Sequence, residues 1–243
     1  MSIPFADPDT DPVFPPLFTP VTVGGDALRH AVTSARAGAG AGSLSWSRDA
    51  DRFSVAVVFE PEMNLRAARF AHYVTMVGMA DALGVLGPPY KPITFAWPDR
   101  LVLDGAVVGQ VRLVAPEQPD DEVPEWLVAG VAIRLRFPGT LDDPGRTPDR
   151  TALYEEGFGD VTAPALAEAF ARHLLNWISR WLEEGAEPVA SEWLSHLPLD
   201  IKNGDVRHGL DPKNGDLLLL DPGSTKPRRR DLAAGLALAE AEL

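Results

Sequence analysis

Cysteine is absent from the 243 residues. That removes disulfides, thiolate metal sites and a cysteine nucleophile, and it fits a reducing compartment. Lysine is scarce: Lys91, Lys202, Lys213 and Lys226 are the whole set, so the span from Pro92 to Ile201 holds none. Positive charge is in short supply altogether. The 22 Lys and Arg face 35 Asp and Glu, for a net charge of −13. Nucleic acid and anionic membranes are therefore not expected as partners. No apolar run reaches the ~18 residues that a membrane-spanning helix needs. The first twenty residues carry acids and prolines but no apolar segment, so no secretory signal is read and a cytoplasmic location is expected.

What is present reads as an ordinary globular chain, 45% hydrophobic and 23% charged, long enough for one large domain with or without an appendage. Its organising stretch runs from Phe95 to Leu113. Leu101–Leu103 and Val107–Leu113 are apolar runs of strand length. Asp104-Gly105 between them is a pair that tolerates the positive φ of a tight turn, so a β-hairpin is predicted at the centre of the main sheet. Trp97-Pro98 stiffens the entry. Gly109, inside the second strand, predicts a bulge or a close approach.

Along the chain, residues 1–16 read as an irregular arm rich in Pro and Asp. Asp26 to Arg36 predicts a short helix. A Gly/Ala turn follows at Gly38 to Gly42, read either as a plain connection or as backbone amides able to cradle an anion. It carries no Gly-Lys-Ser/Thr and is not a Walker A loop. Phe53 to Phe59 predicts a strand buried on both faces. Leu65 to Leu86 predicts one helix with Leu65, Ala68, Val74, Met76, Met79 and Leu83 as its apolar stripe; His72 on it is read as a packed residue rather than a ligand. Pro116 to Glu125 is an acidic connection, and Trp126 to Phe137 alternates as a strand. Phe137 to Arg150 reads as a loop. Thr162 caps and Gly185 stops a long helix, with His173 taken as structural. Residues 203–227 alternate short strands with Asp-Pro and Asn-Gly turns. Arg228-Arg229-Arg230 reads as a solvated turn or as a basic patch for an acidic acceptor. Leu232 to Leu243 predicts a terminal helix.

Several of these motifs, in this order, resemble the biotin/lipoate protein ligase family. That family has lysine-Trp-Pro-Asn-Asp, an apolar strand, a turn, a second lysine and a glycine opening the next strand. Trp97, Pro98, the turn and Gly109 match, while Ala96 and Ala106 (or Val107) stand in the lysine positions. The family's Gly-Arg-Gly-Arg-Arg-Gly loop, followed by a tryptophan, corresponds to Gly38, Gly40 and Trp46, with Ala39 and Ala41 in place of arginines. Its Gly-x-Gly-x-Asn strand corresponds to Gly130, Ala132 and Arg134. Thr151-Ala152-Leu153 and the Glu-Gly-x-x-Pro run ending in Pro188, with Trp193 after it, complete the likeness.

The resemblance implies an α/β (α+β) fold, a mixed central sheet flanked by helices, with a small SH3-like β-barrel as C-terminal domain. The implied domains are the arm at 1–16, a ligase-like domain at 17–200, and a small β unit with a terminal helix at 201–243. The implied ligand site lies over the sheet and draws on Gly38, Gly40, Trp46, Trp97, Pro98, Gly109, Gln110, Val111, Gly130 and Ala132. Members activate a carboxylic acid with ATP and magnesium and pass the acyl group to a lysine of a biotinyl or lipoyl carrier domain. ATP, biotin or lipoate, a small carboxylic acid and such a carrier are thus the implied ligands and partners. The family's cysteine-dependent branch is excluded, and no helix-turn-helix fits upstream. With the family's cations replaced by alanine, any compensating charge has to come from Arg112, Arg134 or Arg36. Adenylation of biotin or lipoate is expected to be weak or absent, since each lost cation removes a contact to the developing charge. Two other readings stand beside this one: an active ligase using displaced arginines, and an interaction protein with its pocket filled in.

Overall fold

Arg52–Phe59 forms β3 and pairs antiparallel along its whole length with β7, Leu127–Arg134. In a computed structural model that describes residues 11–138, 148–159 and 161–241, this ladder is the middle of a seven-stranded mixed sheet. On one side of it lie β2 (Ser43–Ser47) and β1 (Thr19–Val23), the latter parallel to β2. On the other side lie β6 (Ala106–Val114), β5 (Arg100–Leu103) and β4 (Ile93–Ala96), all antiparallel.

The hairpin forms where predicted, but not at the centre of the sheet: β4 is the edge and β5 its neighbour. The reason is that Ile93–Ala96, read as entry to the hairpin, is a strand of its own and adds outside β5. Asp104 (φ 48°) and Gly105 (φ 83°) supply the turn. Gly109 serves both expected purposes. The β5–β6 register shifts beside it, and a Cβ there would lie 2.4 Å from the Ala132 carbonyl oxygen.

Alternation along β3 sends Phe53, Val55 and Val57 to one face and Ala56 and Val58 to the other. The first face packs on α3 (Ala71–Leu86) and α4 (Ala163–Glu184) and forms the main core. The second is covered in part by α1 (Ala27–Arg36), which Asp26 caps and which buries Ala27, Ala31 and Ala35. The helix expected over residues 65–86 is broken. Its first turn is α2 (Leu65–Ala68), and Arg69 and Phe70 pass into α3 with i→i+3 bonds, His72 N to Arg69 O and Tyr73 N to Phe70 O. The acidic connection lies alongside: Leu65 N and Arg66 N at the start of α2 donate to Glu122 O and Asp120 O, and the Arg69 side chain at the break pairs with Asp120 at 2.6 Å. No single stripe is buried on α3. Twelve of its residues are buried, because sheet, α4, α5 (Ala186–Ser195) and the C-terminal unit surround it.

Beyond α6 (Leu199–Lys202), β8 (Arg207–Leu210), β9 (Leu217–Leu220) and β10 (Arg228–Arg230) make a small antiparallel sheet, followed by α7 (Leu232–Ala241). This sheet is compatible with the expected SH3-like unit. Arg228-Arg229-Arg230 is a strand rather than a turn. Arg228 pairs with Asp221 at 2.7 Å, Arg229 with Asp211 at 2.7 Å, and Arg230 lies 5.8 Å from the ring centre of Trp97. The unit is tied into the main core. Tyr73 Oη donates to Gly215 O at 2.7 Å and accepts from Trp97 Nε1 at 3.2 Å, and Leu232 is buried in the core cluster.

His72 is fully buried on α3, and its Nε2 donates to Pro98 O at 2.9 Å. Its Nδ1 is buried without a partner. Burial outweighs the carbonyl contact and lowers the pKa from 6.5 to about 4. The folded ring is thus neutral where the unfolded one begins to charge. Its contribution is complete above the unfolded pKa and is lost as pH falls from 6.5 toward 4, in total of the order of 3 kcal/mol. Melting curves between neutrality and about pH 4.5 should show a shallower acid loss in His72→Gln than in the unsubstituted protein. Parallel curves would mean that His72 does not titrate on unfolding.

Candidate functional site

The β3–β7 and β6–β7 registers decide which side chains share the face beside α1. Arg52 lies directly across from Arg134, Gln110 across from Ala132, and Arg100 across from Gln110. Helix α1 covers this face only around Ala56, Gly130 and Val128. Past the helix the face opens into a cavity of about 570 Å³ lined by Gly109, Gln110, Ala132, Arg134, Arg52, Arg100, Arg136 and Arg150, with Asp51 and Asp149 at its rim. Five arginines line it, in a chain of net charge −13.

Each of the central cations is held. Arg100 donates to Gln110 Oε1 at 2.6 Å and its Nε lies 3.2 Å from Asp99 Oδ1. Arg134 donates to Thr151 O at 3.1 Å. Thr151 Oγ1 donates to Glu156 Oε1 at 2.6 Å, and Lys91 binds the other Glu156 oxygen at 2.7 Å and Asp104 at 3.0 Å. The turn of the hairpin is thereby tied through Lys91 to the carbonyl that orients Arg134. Residues 149–151 run beside β6, with Val107 N donating to Asp149 O and Thr151 N to Val107 O. Burial, then the charges of Arg150 and Arg52, lower the pKa of Arg134 from its ordinary value. Like charges directly opposite on neighbouring strands cost stability. An anion in the cavity would relieve that cost, and planar guanidiniums suit carboxylate and phosphate oxygens.

Of the residues singled out in the sequence, Gly109, Gln110, Ala132 and Arg134 come together here. The others do not. Gly130 is capped by Leu28, whose Cδ1 would lie 2.9 Å from a Cβ at that position, so α1 fills the space above it. Trp46, 2% exposed, is a core residue against Phe14. Trp97 lines neither this cavity nor a smaller one of about 320 Å³ bordered by Leu236 of α7. Its ring packs on α7, where a Cβ at Gly235 would come within 2.5 Å of it. Pro98 serves as the carbonyl acceptor for His72. Val111 and Arg112 border a separate cavity beside the part of β6 that runs past β5. Arg36 is exposed in the last turn of α1.

The turn at Gly38 to Gly42 is a tight connection. The amides of Gly38, Ala39 and Gly42 donate to Ala35 O, Ser34 O and Val58 O. Gly42 is required by its φ of 82° and by Leu17 O, which would sit 2.3 Å from a Cβ. Glu60 places its carboxylate beside Gly40, 3.5 Å from where a Cβ would stand. An anion cradle at this turn is therefore disfavoured, because a fixed negative charge already faces it.

Arg52, Arg100, Arg136 and Arg150 were not singled out from sequence. Only the alternation of Arg52 and Arg134 about apolar strands hinted at a shared face, and the pairing that joins them is long-range. Substituting Arg52, which is exposed and lies directly across from Arg134, should relieve repulsion. Arg52→Gln is expected to raise the melting temperature by about 2–4 °C at low salt and by less near molar salt. A lowered melting temperature would show that the cluster is internally neutralised.

Comparison with known proteins bears on the same region. The model of the biotin/lipoate A/B protein ligase family matches residues 14–195. A biotin–[acetyl-CoA-carboxylase] ligase of Paracoccus denitrificans is 26% identical over 187 residues, covering 72% of this chain and 75% of that one. Among solved structures, a biotin protein ligase-like protein of unknown function from a Silicibacter species superposes with a TM-score of 0.79 at 34% identity, covering 92% of this chain and 98% of the other. The Aquifex aeolicus biotin protein ligase in complex with biotin and ATP shares the fold, with a TM-score of 0.65 at 12% identity over 87% of this chain and 94% of its own.

Proposed function

The chain belongs to the biotin/lipoate A/B protein ligase family, and from that premise we propose that its arginine-lined cavity binds a small carboxylic acid of the biotin or lipoate kind and the acyl-adenylate made from it. The observation that carries this reading is the row Arg52, Arg134 and Arg100 on one open sheet face. The similar Aquifex structure holds biotin and ATP. An acyl-adenylate carries one phosphate charge and an uncharged acyl tail. The guanidiniums of Arg134 and Arg100 donate to the phosphate oxygens, and Val107 and Ala132 give the tail an apolar surface.

The arginines also favour a second reading, in which the protein forms the adenylate itself. There the acid's carboxylate oxygen attacks the α-phosphorus of ATP and pyrophosphate leaves. Arginines beside that phosphate would stabilise the charge that develops. No cluster of three or more His, Asp or Glu side chains that could hold a metal occurs among the described residues. With Ala96 and Ala106 (or Val107) standing where the family has lysines, adenylation of biotin or lipoate is expected to be weak or absent unless these arginines supply the charge.

Calorimetric titration with a non-hydrolysable biotinyl-adenylate should show binding that Arg134→Ala weakens about 10- to 100-fold, the loss of one or two charge-assisted hydrogen bonds. Arg36→Ala should leave it unchanged. Pyrophosphate release from ATP with biotin or lipoate then separates the readings, since turnover lost in Arg134→Ala would assign adenylation to this cavity. Absence of binding for biotin, lipoate and both adenylates would remove the proposal.

A further inference from the structure

The arginine-lined cavity stops short of the first turn of α1. Along β7, Arg134, Ala132 and Gly130 share the face beside α1, each about 7 Å from the next. Arg134 and Ala132 line the cavity, and Gly130 does not. Over Gly130 stands Leu28: a Cβ at that glycine would lie 2.9 Å from Leu28 Cδ1 and 3.1 Å from its Cβ. Two hydrogen bonds hold Leu28 there. Its amide donates to Asp26 Oδ1 at 3.0 Å, and the amide of Ala27 donates to Ser54 Oγ at 3.1 Å. Ser54 lies directly across from Ala132, so α1 is anchored on the row of the sheet where the cavity ends.

We infer that Leu28 determines specificity at this site and restricts the acid to a short straight chain. The inference rests on the reading of the cavity given above and names which acid that cavity prefers. With the phosphate at the arginines, the apolar floor leads the acyl tail from Arg134 over Ala132 toward Gly130. A chain the length of pentanoate ends before Leu28. Biotin and lipoate are pentanoates with a ring at the far end, and that ring arrives at Gly130, where Leu28 already fills the space. It then stays without apolar cover and adds nothing to binding, while the adenylate end is held as before. Truncating Leu28 opens the floor at Gly130 and Ala56, which lie across from each other on β7 and β3.

Sulfamoyl-adenosines carrying pentanoyl and biotinyl groups differ by the ring alone. Titration calorimetry on the unsubstituted protein should find the biotinyl compound no tighter than the pentanoyl one. In Leu28→Ala the biotinyl compound should tighten about tenfold, from apolar area newly buried, with pentanoyl unchanged. Destabilisation of α1 alone cannot produce that gain. Arg134→Ala should weaken both compounds alike. If Leu28→Ala does not fold, Leu28→Val carries the test with a smaller gain. A biotinyl compound that already binds more tightly than pentanoyl in the unsubstituted protein, or a ratio unchanged in the folded Leu28 variant, would overturn this inference alone. Absence of binding for both compounds in every protein would remove the cavity reading and this inference with it.

Discussion

The full-length antiparallel pairing of β3 with β7 is the constraint on which the other features rest. It is an eight-residue ladder of mostly apolar side chains buried on both faces. One face supplies Phe53, Val55, Val131 and Ile133 to the core under α3 and α4, and this burial is the chief source of stability. The same register sets Arg52 against Arg134 at the far end of the other face. A slip by one residue would send the arginines into the core and the valines to solvent. Folding thus places like charges side by side, and the apolar remainder of the ladder holds them there.

That arrangement bears on how a family fold keeps a charged pocket after losing the family's lysines. In an acidic protein, a concave, partly desolvated set of guanidiniums concentrates positive potential at one point. The alanines of the Gly38–Gly42 turn leave no cation on that loop, and Ala96 of β4 and Ala106 (or Val107) of β6 leave none at the hairpin, while β3, β5 and β7 present others from rigid strands. Strand-borne groups are more firmly positioned than loop-borne ones. Leu28 over Gly130 shortens the apolar part of the same face, so the room that remains lies toward the arginines.

Much of the architecture was legible in the sequence where the signals were local. Asp104-Gly105, Thr162 with Pro164, Gly185 and the dense strand at Phe53–Phe59 each announce their structure through backbone preference or patterning. The mixed sheet and small C-terminal sheet follow the expected family plan. The misreadings came from distant contacts. The path from α2 into α3 beside Asp120 and the packing of Trp97 under Gly235 depend on segments far apart in the chain, and β4, which pairs locally with β5, is also held by Phe95 N donating to His196 O. The site was half legible for the same reason. Arg134, Gly109, Gln110 and Ala132 could be named from motif order, but Arg52 and Arg100 become neighbours of Arg134 only through the sheet registers.

A crystal structure with a biotinyl sulfamoyl-adenosine, a stable mimic of the adenylate, addresses the central claim most directly. The sulfamoyl group should lie between the guanidiniums of Arg134 and Arg100, over Ala132. A ligand seated against the Gly38–Gly42 turn, with the arginine cavity empty, would contradict it.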